Sequence, residues 1–459
     1  MFQKFIKYPA VFAVLILAFS LLLVTVNALP VSPMSINLHE SADTLLKQDD
    51  AFPKDAQGKA NGLSVDNFTS AIMLDIASHG SDMGIRGAFG GYYPKVSNDI
   101  SQAQNLAQTI DTSALDSATQ VSYGYYWHGW KVWLKPLLYL FNISQIQFLL
   151  FILMSILIFV AATMLCRLKG SVAGVVFGAC YAVVLYPICC MSLSFASTFF
   201  LSLIMSIRVL YEFTKHKRHL NKITTKSRSG AYGLSNEAQP EPAWGWQIEF
   251  FVVGAFTAYL DFLCTPIISL AVPLALLTFL QDKATLEKNL CLIFGCLILW
   301  GLGYGLTWII KWPISQAITG EPVIANALDE VLYRSGETEI ETASQTQTIS
   351  RMGVLAKQIQ TFIPSNLLIL ICVLVVLTII IFALVGNRVR LRQTFQRTVP
   401  LVLLAILPYA WYLFALNHSS VHYWFTYRNQ LVTVMALCFC ALLLLKKPVK
   451  PPVHKRYSC

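Results

Sequence analysis

Charged side chains are scarce in this chain: Asp, Glu, Lys and Arg make up only 13% of its 459 residues, against roughly a quarter in soluble globular domains. That shortage excludes an ordinary soluble enzyme. Acidic residues are scarcer than basic ones, 24 against 34, yet the net charge of +10 is not a nucleic-acid footprint. Lys and Arg gather in short segments beside apolar runs, which is a membrane-topology pattern and leaves no nucleic-acid partner to expect. Cysteine is missing from both large polar loops, since ten of the 11 cysteines (Cys166, Cys180, Cys189, Cys190, Cys264, Cys291, Cys296, Cys372, Cys438 and Cys440) lie in or beside apolar segments. A disulfide-stapled outer domain is thereby excluded, and no CxxC pair suggests zinc or redox work. Also missing are a P-loop, a nucleophile elbow, a His-Glu-x-x-His helix and a dinucleotide fingerprint in a supporting context.

What is present is hydrophobic length. With 56% hydrophobic residues and a mean hydropathy of +0.58, the chain holds about ten stretches approaching the roughly 20 residues needed to cross about 30 Å of hydrocarbon. They fall near Tyr8 to Leu29, Gln145 to Cys166, Ser171 to Cys190, Leu193 to Phe213, Ile248 to Phe262, Ile267 to Leu280, Leu290 to Ile310, Leu367 to Gly386, Pro400 to Leu416 and Leu431 to Leu445. The fifth and sixth are short, and Pro266 and Pro273 interrupt them, as in broken or re-entrant spans.

The expected fold is an all-α integral membrane protein. Its parts are an anchor (1–30), a large outer loop (31–143), spans two to four (144–213), a basic linker (214–246), spans five to seven (247–310), a second outer loop (311–365), spans eight to ten (366–446) and a basic tail (447–459). Lys4 and Lys7, Arg167 and Lys169, the Lys215 to Arg228 cluster, Lys283 and Lys288, Arg388 to Arg392, and Lys446 to Lys450 fall on one side when ten spans alternate. Both termini are then expected in the cytoplasm of a multi-pass protein of the cytoplasmic membrane. The first loop, with about twice as many acidic as basic residues, faces outward. Val26 and Ala28 resemble a signal-peptide cleavage site, but the apolar run is longer than the usual 7 to 15 residues or so, which favours an uncleaved anchor.

The outer loop contains amphipathic segments. Asn37 to Glu40 has the form of a capping box. Asp66-Asn67-Phe68-Thr69 starts a second helix that carries Phe68, Ile72 and Ile76 on one face and stops at Gly80. The cluster from Tyr123 to Trp130 leads into Lys131 to Phe141, which reads as an interfacial helix on the outer leaflet. In the second loop, Ile318 to Leu332 and Ile349 to Ile363 read as short helices. The Thr214 to Trp246 segment reads as a flexible connector.

Several residues carry both a chemical and a structural reading. Asp66 suits a base or metal ligand, and equally a helix cap. Glu40 and Asp43 share its loop, where the dipole of a helix's first turn also favours carboxylates. Asp75 and His79, four apart, suit a metal or acid–base pair, or a local ion pair. His128 sits in an aromatic belt at the mouth of a membrane cavity, where it could hold phosphate. Asp261 is an acid in an apolar setting, which normally faces a cavity or a partner. His418, His422 and Arg428 crowd the last outer turn, and Arg428 needs a phosphate, a carboxylate or Asp261 to justify its place. Asn67-Phe68-Thr69 and Asn417-His418-Ser419 also match the glycosylation sequon.

Taken together, Ser41-Ala42-Asp43, Asp66-Asn67-Phe68-Thr69, Tyr126-Trp127-His128-Gly129-Trp130, Lys135-Pro136-Leu137-Leu138 and Asn417-His418 through Tyr427-Arg428 resemble a group of bacterial membrane proteins near the type C integral-membrane glycosyltransferases. The resemblance implies sugar transfer from a polyprenyl-phosphate-linked donor to an envelope glycan or protein acceptor on the outer face. Asp66, Asp43 and Glu40 would be the candidate catalytic carboxylates, as base or divalent-metal ligand, and His128, Asp261, His418, His422, Arg428 and Asn67 the substrate-binding residues. The chain departs from that superfamily in placing no acidic residue directly after the first span. Two rival readings are a transporter or lipid-linked-glycan flippase, suggested by the interrupted helices, and a non-enzymatic envelope-assembly protein.

Overall fold

Apolar runs of this length have one solution in hydrocarbon, the helix, because only it satisfies every backbone N–H and C=O within the segment. The computed structural model describes residues 2–51, 64–111, 115–228, 245–281, 284–336, 340–342, 345–347, 350–363 and 388–445, and they are predominantly helical. In chain order, α1 is Phe2–Asn27, α2 Ser35–Ala51, α3 Asn67–Ser78, α4 Gly84–Gly90, β1 Tyr92–Lys95, α5 Gln102–Ile110, β2 Thr119–Ser122 and α6 Lys131–Leu138. Then follow α7 Ile143–Lys169, α8 Ser171–Val183, α9 Tyr186–Met191, α10 Leu193–Arg228, α11 Trp246–Leu260, α12 Pro266–Leu280, α13 Leu286–Thr319 and α14 Val323–Ser335. A small hairpin, β3 Ile340–Thr342 with β4 Gln345–Gln347, precedes α15 Arg351–Phe362, α16 Arg388–Phe414, α17 Leu416–Val421, α18 Tyr423–Thr426 and α19 Leu431–Leu445.

Among the described residues, six helical stretches are long and apolar enough to cross a membrane: Lys7–Asn27, Ile143–Lys169, Leu193–His219, Leu286–Thr319, Thr394–Phe414 and Tyr423–Leu445. The expected third span is instead broken. Leu185 takes a left-handed conformation at φ 57°, and Pro187, which has no N–H to continue α8, opens α9. The fifth and sixth are α11 and α12, each 15 residues, or about 22 Å, less than the hydrocarbon thickness. The expected eighth span, Leu367 to Gly386, lies outside the described residues.

The centre of the bundle is α12. It is apolar on every side, so it belongs inside rather than facing lipid, and each of its residues is buried. It packs against α10, α11, α13, α16 and α19. Beside it, α11 and α13 approach closely because their contact is lined by glycine. A Cβ at Gly254 would meet the Trp300 carbonyl oxygen at 2.2 Å, and one at Gly303 the Phe251 oxygen at 2.0 Å. Small residues let backbones gain dispersion contacts that a larger side chain would forbid.

Several expected boundaries move. The first-loop helix starts at Ser35 after a turn at Ser32–Met34, so Asn37 lies inside it and its Nδ2 donates to the Leu138 carbonyl at 2.8 Å rather than capping. In α3, Ile72 and Ile76 are buried but Phe68 is 63% exposed. The connector expected from Thr214 is helical through Arg228 as the end of α10. α13 continues beyond Ile310 through Pro313 to Thr319, ended by left-handed Gly320.

The expected interfacial helix, α6, is not laid on a surface with its lysines in water. Lys131 and Lys135 are fully buried against the end of α1. Lys131 Nζ donates to Asn27 Oδ1 at 2.6 Å, and Lys135 Nζ donates to the Asn27 carbonyl at 3.2 Å and Ser81 Oγ at 2.7 Å. Two cations therefore meet the negative end of the α1 dipole and fix the loop layer to the anchor. Burial pushes Lys131 down to about 7 and Lys135 down to about 8.

Within that layer α3 packs on α5, and the joint is polar. Asp75 Oδ1 accepts from Thr109 Oγ1 at 2.7 Å, while Oδ2 accepts from Asn105 Nδ2 at 3.0 Å and Gln102 Nε2 at 3.2 Å. His79 Nδ1 lies 3.7 Å from Asp75 Oδ1 and 2.9 Å from the Asp75 carbonyl oxygen, and burial holds the imidazole below its ordinary value, so the two are neighbours without forming the expected ion pair. Burial pushes the Asp75 carboxyl up to about 7 in spite of these donors, so between about pH 4 and pH 7 the folded loop keeps a proton that the unfolded chain has released. Loop stability should therefore fall as pH rises through that window. Asp75→Asn should flatten the dependence, which hydrogen exchange of α3 and α5 amides between pH 5 and 8 would detect.

Candidate functional site

The short link between α11 and α12 organises the polar residues at the loop-bearing end of the bundle. Asp261 closes α11 in extended conformation, and Thr265 precedes Pro266, whose fixed φ suits the first helical position. Between them Leu263 is held at φ 67°, a left-handed conformation that costs a bulky residue on the order of 1–3 kcal/mol. Gly129 approaches from the first loop and donates its N–H to the Tyr259 carbonyl at 2.9 Å; a Cβ there would meet that oxygen at 2.5 Å. Thr265 and Thr198 of α10 share a hydroxyl hydrogen bond of 2.8 Å.

The Asp261 carboxyl is buried, and its Oδ1 accepts from the Cys264 amide at 3.4 Å. Its Oδ2 has no hydrogen-bond partner among the described residues. Burial pushes this carboxyl up to about 7, against the pull of the Cys264, Leu263 and Phe262 amides and of the Arg334 charge.

Arg334 was not singled out in the sequence. It sits in the last turn of α14, pairs with Glu330 one turn earlier, lies 5.8 Å from the Tyr126 ring centre and places Nη1 3.5 Å from His418 Nδ1. For that contact Nδ1 must accept, which a neutral imidazole with its proton on Nε2 can do. Burial first, and the Arg334 charge beside it, hold His418 well below its ordinary value. The Tyr126 hydroxyl likewise lacks a partner among the described residues, while the His418 ring also interacts with the Leu263 backbone. His422 stands 4.8 Å from the His418 ring, and burial lowers it to about 4.

An aromatic wall backs this cluster. Tyr123, Tyr125 and Tyr126 lie within 4.9–6.3 Å of one another, and Tyr126 meets Phe262 at 5.3 Å and Trp308 at 5.9 Å. The Arg334 side chain is 19% exposed. A guanidinium, a carboxylate oxygen, hydrogen-bond donors and ring faces along one side are the kinds of group that hold a polar, anionic molecule.

No protein-family model, curated protein or solved structure matches the chain. The site therefore has to be judged on its own geometry.

The other expected site residues divide into separate groups. Asp66 caps α3: Oδ1 accepts from the Thr69 amide at 3.1 Å, Oδ2 from Ser194 Oγ at 2.7 Å, and its own N–H donates to Ser192 Oγ at 2.9 Å. Burial raises this carboxyl, while Ser194, Thr69 and the charge of Arg428 lower it. Arg428 is fully buried, donates to the Trp424 carbonyl at 3.1 Å and lies 5.2 Å from the Phe195 ring centre and 4.9 Å from that of Tyr427. Asp66 and Arg428 are thus brought near one another, and Cys264 lies close enough to feel both Asp66 and Asp261. Asn67 is buried at the start of α3, with Nδ2 3.5 Å from the Leu45 carbonyl.

His128 is buried against Phe262 and Trp130, at φ 54°, and its Nε2 sits 2.9 Å from the Tyr123 carbonyl. Burial and the charge of Lys311 hold it well below its ordinary value. It braces the aromatic wall from behind. Glu40 and Asp43 are exposed on α2, and Glu40 Oε2 accepts from Asn142 Nδ2 at 2.7 Å, the residue that caps α7. They do not join Asp66. Among the described residues no three His, Cys, Asp or Glu are placed to share a metal ion.

Asp66→Ala should behave as a stability defect. It removes a cap and leaves Ser194 Oγ and the Thr69 amide to find other partners, at about 1–3 kcal/mol. A lowered unfolding temperature in detergent would show this, with Glu40→Ala and Asp43→Ala staying within about 0.5 kcal/mol of wild type.

Proposed function

We propose that the chain is a membrane transferase that takes a sugar from a lipid-phosphate-linked donor and works at the loop-bearing end of the bundle, on the outer face of the cytoplasmic membrane. The observation that carries this reading is the convergence of two buried, partnerless polar atoms, Asp261 Oδ2 and Tyr126 Oη, and of the buried His418 ring, on Arg334. Buried polar atoms are normally satisfied. A group of them facing a guanidinium and an aromatic wall fits a substrate that supplies the missing partners.

In this reading the Arg334 guanidinium and the His418 Nε2–H meet the donor phosphate. Asp261, rather than Asp66, is the base. An acceptor hydroxyl attacks the anomeric carbon, its proton passes to Asp261, the bond from that carbon to the phosphate oxygen breaks, and the phosphate leaves with the electron pair. The aromatic wall presents ring faces to the apolar side of the sugar. A carboxyl brought to about 7 is well matched to general base work near neutrality, and a guanidinium in a poorly hydrated site stabilises developing phosphate charge more than it could in water.

In cells deleted for the chain, plasmids carrying Asp261→Asn or Arg334→Ala should reproduce the deletion's envelope glycan profile at normal membrane levels, a loss of about 10²–10⁴-fold in transfer. Glu40→Gln and Asp43→Asn should restore the wild-type profile. In membrane preparations the wild-type rate should rise with pH through about 7, as Asp261 ionises. Full complementation by both Asp261→Asn and Arg334→Ala would remove this reading.

A further inference from the structure

At the opposite end of the bundle, the C-terminal turns of α7 and the 211–219 stretch of α10 enclose an open groove of about 600 Å³, within the roughly 300–1,000 Å³ of small-molecule sites. Met164 and Tyr211 line it on the side of the apolar spans, and Arg167, Lys215, His216, Arg218 and His219 on the other. Basic residues here are expected simply from membrane topology, so the question is whether the fold already employs them.

Neighbouring cations are employed. Lys217 Nζ donates to the Arg167 carbonyl at 3.0 Å, satisfying the end of α7. Lys169 Nζ does the same for the Leu280 carbonyl at the end of α12, at 3.2 Å. Arg208 holds both Glu212, the one acid lining the groove, and Glu249. Arg167, Lys215 and Arg218, in contrast, have no ion-pair partner among the described residues and are exposed around the groove. α10 runs on to Arg228, which carries the negative end of its dipole past the groove instead of into it.

We infer that this groove holds the headgroup of an anionic phospholipid of the adjoining leaflet. The phosphate lies among Arg167, Lys215 and Arg218, and the glycerol and upper acyl chain lie along Met164 and Tyr211. The arrangement matches the chemistry of an amphiphile at an interface, with cations where the span ends and apolar contact just below. A free phosphate would use the cations and leave the apolar side idle.

Native mass spectrometry of the full chain, released from detergent with added dioleoylphosphatidylglycerol or dioleoylphosphatidylcholine, tests the assignment. The anionic lipid should bind about tenfold more tightly, and millimolar inorganic phosphate should not displace it. Arg167→Gln combined with Arg218→Gln should reduce that preference about tenfold. Thr214→Trp, which keeps every charge but fills the groove, should reduce it as well, and this variant carries the test if the double variant fails to insert. Equal binding of the two lipids, displacement by inorganic phosphate, or undiminished preference in well-folded Thr214→Trp protein would overturn the inference.

Discussion

The link between α11 and α12 takes backbone N–H and C=O groups into the interior of an apolar bundle, where each must find a partner or cost free energy comparable to a lost hydrogen bond. Much of the loop-bearing end is arranged around that requirement. Gly129 brings an amide to the Tyr259 carbonyl and Asp261 turns its own Oδ1 to the Cys264 amide, while the Thr198 and Thr265 hydroxyls satisfy each other. These partners come from the first loop, from α10 and from the link itself. The fully buried α12 anchors the arrangement, because sliding it would expose apolar surface on one side and break the polar contacts on the other.

The same constraint shapes the electrostatics of the Asp261 cluster. A carboxylate that caps its own turn inside an apolar layer is desolvated, and one of its oxygens is left without a hydrogen-bond partner among the described residues, within reach of the Arg334 charge. Leu263, strained at positive φ two residues on, is held there by the packing around it. Asp66 illustrates the opposite outcome of burial. Both of its oxygens are spoken for by Thr69 and Ser194, so its carboxyl holds helix α3 against α10 and is not offered to a ligand.

The residues that could be read from sequence are those whose role is local. Asp66 announces the start of α3 because an Asp one residue before a helix accepts from an amide three residues on, whatever the rest of the chain does. Asp261 stood out because a carboxylate amid Phe, Leu and Cys is costly wherever it sits. Arg334 gave no such signal, since a basic residue ending an amphipathic helix ordinarily serves the helix dipole. Its meeting with His418 spans 84 residues of chain, and only the packing of α14 against α17 brings it about. Lys131 and Lys135 misled for the same reason: a lysine beside tryptophan resembles an interfacial residue until the end of α1 supplies its acceptors.

What the sequence alone determined is the solvent and the element type, because hydrophobic length and charge placement act along a single segment: a multi-pass, largely helical membrane protein with an acidic, structured first loop. It also marked Asp261 and the helix cap at Asp66. Tertiary structure alone decided that α12 is a core helix and not a lipid-facing span, that Asp66 and Asp261 have different duties, and that Arg334 completes the polar cluster. Those distinctions depend on which atoms are desolvated together, and desolvation is a property of neighbours that lie far apart along the chain.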